Sequence, residues 1–179
     1  MFRERSKEIS GRLHEFDVLG ASFPKSAWHE RAEKLGAEEN GFLSYEKSIQ
    51  LTRELQFDDP TNPSKDFAKD LRLAVIEQLE RRGFLKIGDE DNLKFFSALG
   101  MPLDIFHGID AFVEFADKTG VIHRVTIDET TNLEKIQRGH KAQIIFPPPP
   151  DAIADEAAYL CAIDQLADNV VGILAKDLS

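Results

Sequence analysis

The chain has 179 residues, 42% of them hydrophobic and 30% charged, with a formal charge of −10. These are globular values, at a length that fits one domain with an appended segment and can bury a core. The single Cys161 excludes an intramolecular disulfide and fits a reducing compartment. With no apolar run of membrane-helix length and no signal peptide in its first residues, a cytoplasmic protein without a membrane partner is expected.

Residues 1–20 have helical spacing, with Ile9, Leu13 and Phe16 recurring among charges. Ser26 can cap a second helix ending near Gly36. Ser44 opens a third helix that carries Ile49 and Leu51. Two prolines crowd among turn formers from Phe57 to Ser64, which reads as a linker. The domain reading is therefore an N-terminal helical region and linker over 1–64, an α/β core over 65–146, and a C-terminal segment over 147–179.

From Lys65 to Arg82 the stripe Phe67, Leu71, Ala74, Val75 and Leu79 predicts a helix that Gly83 stops. Glu77 and Glu80 lie to one side of it, either as a solvated face or as a contribution to a site. Phe84–Ile87 reads as a short strand or an extended lead. Asn92–Leu99 reads as a helical turn or two, and Met101–Gly108 as irregular backbone. His107 either fixes that approach by hydrogen bonds or contacts phosphate or a metal-bound water.

The centre of the chain is Phe106–Asn132. Ile109, Ala111, Val113 and Phe115 alternate with Asp110, Phe112 and Glu114; Ile122, Arg124, Thr126 and Asp128 alternate with Val121, His123, Val125 and Ile127. Period-two alternation predicts two strands, joined by a short loop at Ala116–Gly120. A hairpin centred near Lys118 pairs Asp110 with Thr126 and sets Asp128 one diagonal step away on the same face. Diagonal neighbours are about 7–8 Å apart. Two carboxylates so placed can share a divalent cation, since Mg²⁺ takes one or two carboxylates plus water and phosphate oxygens. The plainer alternative is a half-solvated hairpin with ordinary surface acids.

After Asp128, Thr131 with Glu134 predicts a short capped helix carrying Lys135 and ending at Gly139. Lys141–Phe146 reads as a further strand. Four prolines, Pro147–Pro150, make a stiff spacer. Asp151 then opens an amphipathic helix reaching about Lys176, with Ile153, Leu160, Ile163, Leu166, Val170 and Leu174 as its stripe. That helix folds back on the core, pairs with a second copy as a homodimer, or binds a protein partner.

The run HGID-A-F-x-E, a turn, and R-V-T-I-D-x-T-T-N with a lysine soon after resembles small bacterial and phage proteins of the PD-(D/E)XK nuclease superfamily. The resemblance spans roughly Asp66–Phe146. It implies a restriction-endonuclease-like α/β fold, an αββαβ core with a central mixed sheet, flanked here by the N-terminal helices and the C-terminal helix. It also implies a site: Asp110 and Asp128 as metal-binding carboxylates, an acid from the first helix (Glu77, or Glu80 close behind), and a lysine. The motif tripeptide is Asp128-Glu129-Thr130, with threonine where the lysine belongs. Lys135 and Lys141 are the substitutes for it.

The implied function is a nuclease, a phosphodiester hydrolase dependent on Mg²⁺ or Mn²⁺ and acting on DNA. The metal would activate a water and a lysine would orient it. Oxygen ligands favour Mg or Mn over Zn, and the chain has no zinc or P-loop signature. The alternative is a catalytically inactive nuclease-like fold that binds nucleic acid or protein. A charge of −10 argues against nonspecific nucleic-acid binding. Residues 151–179, with six acids and one lysine, supply −5 of it, while residues 65–85 are net +1.

Overall fold

The computed structural model describes residue 15 and residues 18–20, 23–130 and 141–178. Its centre is a four-stranded mixed sheet in the order β1 (Leu93–Ser97), β2 (Ala111–Ala116), β3 (Ile122–Glu129) and β4 (Ile144–Phe146). The first three strands are antiparallel, and β4 runs parallel to β3. Among the described residues, five α-helices with full bounds surround the sheet: α1 (Lys25–Lys34), α2 (Tyr45–Leu55), α3 (Asp66–Arg81), α4 (Pro102–His107) and α5 (Glu156–Asp177).

Both faces of the sheet are covered. On one face Phe95, Val113, Phe115, Val125 and Ile127 share a core with Leu71, Val75 and Leu79 of α3 and Ile163, Val170 and Leu174 of α5. On the other, Phe96 and Phe112 stack at 4.8 Å and pack with Ile49 of α2 and Leu103 of α4. A third cluster joins Trp28 of α1 to Leu43, Leu51 and Met101, and the Trp28 indole donates to the Gly100 carbonyl at 2.8 Å. Leu79 is fully buried, so truncating it to alanine should cost about 2–5 kcal/mol.

Burial on both faces explains where sequence patterning misleads. β1 is a strand where Asn92–Leu99 reads as helical turns, because Leu93, Phe95, Phe96 and Ser97 are all buried and the alternation that marks a strand is gone. Its edge is closed locally: the Phe95 amide donates to the Pro60 carbonyl at 2.8 Å, and Arg72 donates to the carbonyls of Leu93 and Glu90. The linker thus lies along the edge strand. Residues 84–87 form neither strand nor extended lead but turns, with Leu85 buried and Ile87 88% exposed.

Two further corrections concern the flanks. Residues 102–107 are helical rather than irregular, with Pro102 in the first turn and Gly108 closing the helix at φ 63°, a left-handed angle that suits glycine. The last helix begins at Glu156, not Asp151. The Asp155 carboxylate caps it by accepting from the Ala158 amide, while Asp151 holds a turn and Ile153 stands in solvent. By length and hydropathy α5 could span a membrane, contrary to the sequence expectation. Here Tyr159, Ile163, Leu166, Val170 and Leu174 are buried in the core it shares with α3 and the sheet. The helix therefore folds back.

Candidate functional site

The hairpin brings its two aspartates closer in register than the sequence reading has them. Paired residues of β2 and β3 sum to 238 (Ala111 with Ile127, Phe112 with Thr126) rather than 236. Extended by one step, that register sets Asp110 against Asp128 instead of Thr126. The last step is irregular: the Asp110 amide donates to the Ile127 carbonyl at 3.0 Å, one residue short of the register. The Asp110 carboxylate turns back to accept from the Glu129 amide at 2.8 Å. On its other side the Asp110 carbonyl accepts from the Ala98 amide at 2.7 Å, so the position is tied to both neighbouring strands.

Asp110 is 4% exposed, and Asp128 and Glu129 are 2% exposed. Burial pushes the Asp110 carboxyl up to about 9, reinforced by the charges of Asp128, Asp104 and Glu15 and opposed only by the Glu129 amide. Burial likewise raises Glu129 to about 8, with Glu15 and Asp128 adding to it. Among the described residues, the charges acting on Asp110 are acidic. Such a cluster is costly without protons or a cation, and its all-oxygen donor set suits a hard ion such as Mg²⁺ or Mn²⁺. Among the described residues, no three acid, histidine or cysteine side chains converge as a ligand group. Asp110 and Asp128 fit the one or two carboxylates that Mg²⁺ takes, with water and substrate oxygens completing its shell.

The other expected site residues stand elsewhere. Glu77 is exposed on the outer side of α3, since the inner side is committed to Leu71, Val75 and Leu79. It is not among the charges acting on Asp110, and neither is the half-exposed Glu80. The acids from outside the hairpin are Asp104, in α4, and Glu15, in the N-terminal stretch. The helix of Glu15 reads from the sequence as plain packing, and no motif marks the residue.

Lys141 is exposed, and its amine lies 3.3 Å from Nδ1 of His107. Carried back from Ile127–Ile144, the β3–β4 register aligns Lys141 with Arg124, four residues from Asp128 along the strand. Lys135 and the helix expected around it lie outside the described residues. Thr130, in the lysine slot, is 4% exposed, and its amide donates to the Phe146 carbonyl at 2.9 Å. It continues the β3–β4 ladder and brings no charge. His107 is 7% exposed and bonds the Leu43 carbonyl through Nε2 at 2.9 Å, which is the fixing role.

Sequence patterning also passes over an ionic hub on the same sheet face. Glu114, 4% exposed, accepts from Arg53 through Nε and Nη2 and from Arg124 through Nε at 2.7 Å. Arg124 lies over the Phe112 ring at 5.7 Å. Beside the hub an open groove of about 410 Å³ is lined by Arg53, Lys94, Phe96, Glu114 and Ile122 among others. Glu114 is four residues from Asp110, or about 13 Å along a strand. This groove and the acidic cluster are thus separate places. Comparison of the chain with protein-family models, curated proteins and solved structures gives no match.

Proposed function

We propose that the chain is a divalent-metal-dependent phosphodiester hydrolase acting on DNA, built on a restriction-endonuclease-like core, with Asp110 and Asp128 as its metal carboxylates. The observation that carries the reading is the burial of these two acids side by side at the end of β2 and β3, close enough for the charge of Asp128 to act on Asp110. The order of helix, hairpin and further strand agrees with it. When bound, Mg²⁺ or Mn²⁺ would polarise a phosphate oxygen and lower the pKa of a water. The chain's own part is to hold Asp110 fixed through the Glu129 amide and to keep the pair away from bulk water. Asp110, whose carboxyl burial raises to about 9, would have to release its proton to hold the cation.

The test is cleavage of labelled DNA with Mn²⁺ by the full chain and by its Asp110→Asn and Asp128→Asn variants. Metal-dependent cleavage lost by about a hundredfold or more in each variant supports the reading. Cleavage retained by both, or absent with every DNA and RNA substrate, sinks it.

A second reading is a nuclease-like fold that binds without cutting. Two observations favour it: Thr130 occupies the lysine slot, and the Lys141 amine is held at His107. The same assay separates the two readings when paired with DNA retention measured in Ca²⁺. Retention without cleavage in Mn²⁺ identifies the binding protein.

A further inference from the structure

The geometry points to the groove beside the Arg53–Glu114–Arg124 hub as a binding site for a small amphiphilic anion, a flat apolar body ending in one phosphate or carboxylate. This inference goes beyond the hydrolase reading and does not depend on it. The apolar part of the groove is Phe96, which is 5% exposed, and Ile122 at its rim, which is 52% exposed. A volume of about 410 Å³ lies within the range that holds a small ligand.

The donors left without a described partner select the sign of the ligand. Glu114 lines the groove, but two guanidinium groups already neutralise it. Asp91 lies within the field of the buried Arg72. Lys94 stands directly across the strands from Glu114, yet its side chain has no hydrogen bond or ion pair with any described residue. Its charge also acts on Asp59. Arg53 commits Nε and Nη2 to Glu114, which leaves Nη1 without a described partner, and its side chain is 35% exposed. Of the lining residues, Arg53 and Lys94 balance Glu114 and Asp91 (2 − 2), so the groove is neutral in a chain of −10, with its unengaged donors on Lys94 and Arg53. An ammonium and a spare guanidinium N–H beside an apolar wall suit an anion carried on an apolar body.

The experiment titrates 1-naphthyl phosphate, 1-naphthoate and the uncharged 1-naphthol into the full chain in EDTA, following backbone amide shifts. The expected result is saturable shifts at Lys94, Ala116 and Ile122 with both anions, and about tenfold weaker binding of naphthol. Phosphate and carboxylate arms both support the site, and their ratio names the headgroup. Lys94→Gln should weaken both anions about tenfold and leave naphthol unchanged. Ile122→Glu, at an exposed rim position, should weaken the anions more than naphthol by repulsion. The inference is overturned if naphthol binds as tightly as the anions, if Lys94→Gln changes nothing, if the shifts gather elsewhere, or if no probe saturates. An Asp110→Asn chain should bind the probes unchanged, which separates this site from the acidic cluster.

Discussion

The amine of Lys141 lies 3.3 Å from Nδ1 of His107, whose Nε2 lies 2.9 Å from the carbonyl of Leu43. A carbonyl only accepts, so Nε2 carries the proton and Nδ1 offers its lone pair to the ammonium. The histidine is thus neutral and ties β4's approach to the loop before α2. Replacing His107 by phenylalanine leaves a buried carbonyl without its donor, which should cost about 1–3 kcal/mol. Chemical denaturation checks this; a change below about 0.5 kcal/mol would show that the two bonds contribute nothing.

The same contact sets an expectation for Lys141 itself. Because its amine is engaged four residues along the ladder from Asp128, Lys141→Met should leave any Mn²⁺-dependent cleavage within about threefold. A hundredfold loss would identify the amine as the one that orients water. Single-turnover cleavage rates decide between these outcomes.

Asp110 makes the cation-free protein sensitive to pH, in a direction opposite to most carboxylates. Its folded value is raised from 3.8 to about 9 by burial and neighbouring acids, so between those values the folded state holds a proton that the unfolded chain has lost. Stability therefore falls as pH rises from about 4 towards 9, with a slope of at most about 1.4 kcal/mol per pH unit for this group. Asp110→Asn should flatten the slope and stabilise the protein at pH 8. Mn²⁺ should steepen stability in the other direction for the parent chain only. Thermal melts from pH 5 to 9, with and without Mn²⁺, test both statements; parallel curves for the two proteins would refute them.

How far the fold is legible in the sequence depends on which side chains see water. The hairpin alternation is plain because Asp110, Glu114, Arg124, Thr126 and Asp128 put polar side chains on one face while Val113, Phe115, Val125 and Ile127 are apolar on the other, although most of both strands is buried. The long helix α3 is equally plain, having one buried stripe and one charged face. β1 is not, since both its faces meet cores. The six-residue α4 is too short to show a period, and its only signals are Pro102 and Gly108. The aspartate pair is legible as spacing, but its neighbours are not. Glu15 arrives from the far end of the chain, and Glu77 sits on a helix whose inward face is filled with leucine and valine. Which acids meet is decided by how the helices dock, and local sequence does not encode that.

The hairpin loop has the opposite titration behaviour from the aspartate cluster. Asp117 bonds His123 at 3.0 Å, accepts from the Thr119 amide and hydroxyl, and accepts from the Val121 amide. These bonds, His123 first, hold its carboxyl well below the usual carboxylate range. A depressed value means that the loop's contribution is complete above about pH 4 and is lost as pH falls through the folded value. An NMR titration should find Asp117 ionised down to the lowest pH at which the fold survives. Asp117→Asn should loosen the loop, seen as faster amide exchange at Thr119 and Val121. A titration midpoint near 4 would rule out the hydrogen-bonded turn.

The last expectation concerns the hub. Glu114 is nearly sealed from solvent and receives both Arg53 and Arg124. Removing the carboxylate leaves two guanidinium groups facing each other with no compensating charge. Glu114→Gln should therefore cost about 3–5 kcal/mol, the typical penalty for breaking a buried pair from one side. Glu46 also approaches Arg124, at 3.7 Å, but its side chain is 76% exposed, so Glu46→Gln should change stability by less than about 1 kcal/mol. Because Arg53 links α2 to β2 through Glu114, the Glu114 variant should also free α2. Amide exchange across residues 45–55 should then rise more than exchange in α3. If both variants melt alike, or if exchange rises evenly across the protein, the hub is not what clamps the N-terminal helices to the sheet.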